Sequence, residues 1–270
     1  MEDLNNPASR FYSLLKAGQS EGMDEPSSKI WAKLLHVPEH DTPLLLRRIG
    51  YVISLPSQIK LEVESIPNVN HDIYLRWLPR VNASIGMLNF QAAWKNFITR
   101  FDSEILYGIE ICSEMLSRSR PEKVISKSTM ESLVDKLAQL QEEFQEENLP
   151  PDIAEFIFER LQEVRSAIEE YPLRGSEPLE TVIHQCIGKI VIVPTIYQES
   201  KNTSFGKKFW EFMGYLAMAV TITAGSIQIG KEVFSLIPSD IDNSESVSDI
   251  DKPIEKKNVP SKNDIHVIKT

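Results

Sequence analysis

Ile153, Ile157, Leu161, Val164, Ile168 and Tyr171 follow one another four and three residues apart, which puts all six on one stripe of an α-helix but on both faces of a strand. A chain carrying such stripes must bury them between packed helices. The spacing recurs at Met130, Leu133, Leu137, Leu140 and Phe144, and again at Phe90, Trp94, Phe97, Phe101, Ile105, Ile109, Cys112 and Leu116. The expected fold class is therefore mainly α: an irregular multi-helix bundle with a long central helix and an αα-hairpin, followed by a hydrophobic C-terminal helix.

Residues 1–80 read as short helices: 7–17, 27–37, and a third from Asp41, where Asp41 or Thr42 caps and Pro43 occupies the first turn. Pro56 either kinks or ends this third helix, because it supplies no amide hydrogen. Residues 81–197 form the expected helical core. Within it, 83–116 reads as one central helix roughly 50 Å long, with Gly108 as its soft point. Ser128 and Glu131 form a capping box for the next helix, and Asp152 and Glu155 a similar start for the one after. Residues 148–151 are short enough to fold these two back on each other, the second ending at Pro172. Arg174 and Gly175 make the next turn, and Ser176 begins a helix whose end is open: Ile190-Val191-Ile192-Val193 either extends it or forms a short strand. Residues 198–238 comprise a polar linker, 198–206, and the hydrophobic, potentially membrane-spanning helix. Residues 239–270, with seven acids and five lysines, read as a disordered polar tail.

Residues 212–230 are nineteen consecutive uncharged residues between Glu211 and Lys231, about the length that crosses a hydrocarbon core as a helix. Trp210 and Tyr215 resemble an interfacial aromatic belt, and Lys201, Lys207 and Lys208 on the near side outnumber Lys231 on the far side. If the segment spans, the N-terminal body faces the cytoplasm. Ala217, Thr221 and Gly225 lie four apart on one face, a small-residue pattern that lets membrane helices approach closely. Thr223, Ser226, Gln228 and Gly214 weaken insertion, and the same segment suits a helix buried in a bundle.

The formal net charge of −10 disfavours a phosphate backbone, so no nucleic acid is expected as a partner. Cys112 and Cys186 lie apart in apolar stretches and form no disulfide framework or paired-cysteine motif, which suits a reducing cytoplasm. The acidic, polar N-terminus lacks the basic-then-apolar order of a secretory signal. His36 and His40 are separated by Pro38, which breaks helical ligand spacing, and His184 faces away from Cys186. Asp240, Asp242, Ser244, Ser246 and Asp251 match calcium-loop positions, but Glu245 stands where the turn needs glycine. Glu142, Glu143, Glu146 and Glu147 read as a solvated helix face. No phosphate-binding loop, nucleophile elbow or zinc-protease motif is present, and neither cofactor nor metal is expected.

The leading expectation is a non-enzymatic protein whose helical body binds a protein partner or itself. Trp210, Tyr215, Ala217, Thr221 and Gly225 then mediate membrane docking or helix packing. In its stronger form this is a membrane-perturbing effector of toxin or defence type, its body cytoplasmic and associated with the inner membrane. The layout is similar in outline to single-pass effector or anchor proteins of bacteria. The alternative is a soluble cytosolic scaffold or adaptor in which the C-terminal hydrophobic helix is part of the core.

Overall fold

The computed structural model describes residues 6–122, 124–145 and 147–224, the last four as backbone only. The described residues form twelve helices and no strand, confirming a mainly α multi-helix fold. In chain order they are α1 (Pro7–Gln19), α2 (Ser27–Leu34), α3 (Thr42–Glu64), α4 (His71–Tyr74), α5 (Leu78–Ile85), α6 (Lys95–Ile98), α7 (Ser103–Ser119), α8 (Lys127–Phe144), α9 (Pro151–Arg174), α10 (Glu177–Ile192), α11 (Pro194–Ser200) and α12 (Ser204–Ala224).

Local chemistry sets several of these ends. Asn6 and Ser9 form a reciprocal capping box ahead of Pro7. Asp41 caps α3 by accepting from Leu44 N–H at 3.0 Å. Pro56 does not end α3: its flanking residues Leu55, Ile59 and Val63 are all buried, and that packing outweighs one lost amide bond. Pro172 likewise lies inside α9, which runs to Arg174 and closes on Gly175 at φ +68°. Two expected caps move. Ser126, not Ser128, caps α8 through Thr129 N–H, and α9 opens on Pro150 and Pro151, with Asp152 in its first turn.

The long central helix expected over residues 83–116 is three elements: the end of α5, the single turn α6, and α7. Between α5 and α6, local turns run to Leu88, and Phe90, Ala92 and Trp94 exchange backbone bonds with a distant segment instead of with a helix. Ser27 N–H donates to Ala92 O, Ser28 N–H to Phe90 O, and Trp94 N–H to Glu25 O, at 2.8 to 3.0 Å. A second break falls at Asp102, whose side chain caps α7 by accepting from Ile105 N–H. The aromatic residues that suggested a continuous stripe still share one core. Trp31 meets Trp94 and Phe97, Phe97 meets Phe101, and Phe101 meets Phe11, with ring centroids 5.0 to 6.3 Å apart.

Two apolar cores result. The first is built from α1 to α7 around Phe11, Trp94, Ile49, Leu55 and Ile109, with Leu173 from the end of α9 added. The second is built from α8 to α12 around Leu133, Ile157, Leu161, Leu179, Phe205 and Phe209. The expected αα-hairpin is α8 and α9. Phe144 stacks on Phe158, Gln141 meets Arg165, and Tyr171 Oη accepts from Ile125 N–H at 2.7 Å, an antiparallel register. The β-branched run at Ile190 stays helical to Ile192 and then turns by 100° into α11.

A polar seam joins the cores. Arg48, 3% exposed, donates to Leu35 O at 2.7 Å and pairs with Glu169 at 2.6 Å. Arg47 reaches Glu170 at 3.3 Å, and Arg174 reaches Glu170 at 2.9 Å while lying over the Tyr51 ring. Arg10 pairs with Glu122 beside Gly175.

Candidate functional site

α12 carries the residues expected to meet a membrane, and its described part is packed inside the second core. Phe205, Phe209 and Leu216 are fully buried, and Trp210, Phe212, Met213, Ala217 and Val220 nearly so. Phe144 covers Phe205, while Phe156 lies against both Phe209 and Trp210. Trp210, expected at a lipid interface, donates its Nε1–H to Ser200 Oγ at 2.8 Å, which satisfies the indole without water. Tyr215 is half-buried, with the Lys136 ammonium 5.3 Å from its ring centroid. Ala217 faces the core at 2% exposure. Thr221 lies on α12 with its side chain outside the description, and Gly225 lies outside the described residues. The small-residue stripe is therefore seen only at Ala217.

Residues 198–206, read as a linker, carry the end of α11, a tight turn and the start of α12. Gly206 is needed there because a Cβ would overlap the Ser200 carbonyl, while its N–H donates to Thr203 Oγ1 at 2.9 Å. Among the described residues no single helix is long and apolar enough to cross a membrane, which corrects the transmembrane expectation as far as α12 is described. The last residues of the uncharged run, 225–230, lie outside the description.

A small cleft of about 200 Å³ lies between α8 and α12, lined by Lys136, Glu143, Lys208 and Tyr215. Lys208 bonds Glu143 at 2.8 Å across it, and this bond holds the Glu143 carboxyl below its ordinary range and the lysine above its own. One member of the acidic cluster thus has its cation within the chain.

A second hollow, about 280 Å³, opens on the first half between α4, α5 and α7. Trp77 and Ile105 form its floor, with Gly108 beside them; Ile73, Tyr107 and Ile111 stand on its rim at 58%, 64% and 36% exposure. Arg76 and Arg80 border it. Arg80 is engaged by Asp102 and Glu104. None of Trp77, Tyr107 and Ile111 stands on a long apolar stripe of the sequence. The available signal was only that these apolar residues fell off the main stripes.

The two thiols are buried and muted as nucleophiles. Burial pushes the Cys186 thiol up to about 12. Burial also raises the Cys112 thiol, which donates to Tyr74 O and accepts from Trp77 Nε1–H. His36, His40 and His184 are exposed and apart. Among the described residues no group of three or more His, Cys, Asp or Glu side chains could hold a metal, and the calcium-like stretch from Asp240 lies outside them. Comparison with known protein families, with curated proteins and with solved structures finds no match to this chain.

Proposed function

We propose that this chain is a non-enzymatic helical scaffold or adaptor that binds a protein partner or a second copy, with its C-terminal apolar helix built into the folded body. The observation that carries the reading is the row Phe205, Phe209, Trp210, Phe212, Met213, Leu216 and Val220, buried to 5% exposure or less. At ~1.5–3 kcal/mol per large apolar side chain, this row contributes on the order of 10–20 kcal/mol gross. That is as large as the whole net stability of a typical domain, about 5–15 kcal/mol. A helix so engaged has little to gain by leaving for lipid, particularly one carrying Gly214, Thr221 and Thr223. The buried, protonated thiols and the carboxylates tied into ion pairs favour a structural role over a catalytic one.

The membrane-effector reading retains one specific support, the uncharged run that continues to Gly230. Fractionation separates the two. The full-length chain and a form ending at Thr203 are expressed, and their membrane pellets are extracted with alkaline carbonate. On the scaffold reading the full-length chain leaves the pellet and the shortened form aggregates, because the second core has lost one wall. Full-length chain retained in the extracted pellet, with the shortened form folded in the supernatant, would overturn it in favour of the membrane reading.

A further inference from the structure

We infer that the hollow over Trp77 is a docking groove for the chain's own C-terminal segment, which presents the tetrapeptide Ser-Asp-Ile-Asp twice, at 239–242 and 248–251. At about 280 Å³ the hollow is below the usual range of small-molecule sites, ~300–1,000 Å³, and suits one or two aliphatic side chains rather than a cofactor. Its exposed apolar rim, Ile73, Tyr107 and Ile111, leaves a surface that association would cover.

One cation at its edge favours an occupant that carries a carboxylate. Arg76 is exposed at the edge and has no carboxylate partner among the described residues, whereas Arg80 is already engaged by Asp102 and Glu104. An isoleucine flanked on both sides by aspartate fills an apolar hollow and brings a carboxylate to the vacant guanidinium. Ile241 and Ile250 each stand in that setting, and the repetition gives the groove two equivalent chances of occupancy.

The reach is sufficient. Glu143 meets Lys208 and Lys136 meets Tyr215, so α8 and α12 run antiparallel and Ala224 lies level with Lys127. From there to Gly108 the path is a helix separation of about 10 Å, a connection of at most ~25 Å and some 16 Å of α7. The sixteen residues from Ala224 to Asp240 span up to about 55 Å when extended. Docking within one chain is therefore attainable, and it is independent of the scaffold role of the second core.

The test uses the full-length chain with p-benzoylphenylalanine in place of Tyr107, irradiated at low concentration and mapped by peptide mass. Capture of residues from the 232–256 stretch is expected, in monomer-sized product. Ile241→Asp with Ile250→Asp should cut the yield about tenfold or more, the loss of a buried aliphatic side chain. Arg76→Glu should cut it about threefold, as for an exposed ion pair. The same photoprobe at Val191, exposed on the other half, should not capture the tail. Absence of tail capture from Tyr107, equal capture from Val191, or indifference to the isoleucine changes would overturn the assignment. Capture confined to covalent dimers would overturn docking within one chain and identify a second copy as the occupant.

Discussion

At Gly108 the absence of one methyl group lets an indole pack closely against α7. A Cβ there would stand 2.7 Å from Trp77 Cδ1, with Trp77 Cγ and Cβ close behind, so the obstruction is the root of the side chain and not its flexible end. The sequence made Gly108 a soft point in a helix; the structure makes it a contact surface. Alanine would gain about 1 kcal/mol of helix propensity and lose ~1–3 kcal/mol to overpacking, together with the alignment of Trp77 Nε1 on Cys112. Gly108→Ala should therefore lower stability by about 1–2 kcal/mol in urea unfolding. A stabilised variant would mean that Trp77 repacks freely.

Elements were legible where the stripe and its punctuation lay close together in sequence. α8 and α9 each carry their own apolar row, and a short proline-bearing connection leaves them only one way to pack, so the hairpin could be read locally. The stretch from Ala83 to Leu116 failed because Phe90, Trp94, Phe97 and Phe101 satisfy a helical period while facing one core from separate segments. What breaks the helix there is a set of backbone bonds to residues 23–28, invisible to any local pattern. The uncharged C-terminal run was ambiguous in a different way, since core and membrane ask the same composition of a helix. Its covering residues, Phe144 and Phe156, lie about fifty to sixty positions earlier. The groove over Trp77 was illegible because three elements converge on it. One break in that stretch does have a local cause: Asp102 caps α7. Its carboxyl lies below the ordinary 3.8, first through the Ile105 N–H bond and then through Arg80. A depressed folded value stabilises the fold above the unfolded carboxylate range and loses that contribution as pH falls through the folded value. Asp102→Ala should cost about 1 kcal/mol at pH 7, and its deficit relative to the parent should shrink below about pH 4. A deficit unchanged at pH 3, read from thermal midpoints, would exclude the charged cap as the source.

At the scale of the whole molecule, two oily interiors meet through guanidinium groups and carboxylates. Arg48 is the most enclosed of the Arg47, Arg48 and Arg174 group, and removing it strands two backbone carbonyls, Leu35 and His36, as well as Glu169. Breaking a fully buried pair costs about 3–5 kcal/mol; Glu169 is half-exposed and can rehydrate, so Arg48→Ala should cost nearer 2 kcal/mol. Because the loss falls on the seam, calorimetry should resolve two transitions where the parent has one, and a single transition at the parent's midpoint would deny the seam its coupling role. α9 adds a covalent tie, since its body lines the second core while Leu173 belongs to the first. The order of synthesis turns that tie into a delay. Leu116, the last of the other residues in the first core, leaves the ribosome fifty-seven positions before Leu173. At about 5–20 residues per second the N-terminal half waits roughly 3–11 s, without its final apolar residue or its seam carboxylates Glu169 and Glu170. For that interval a nascent chain presents Arg47 and Arg48 without their carboxylates, Arg48 held only by the carbonyls of Leu35 and His36.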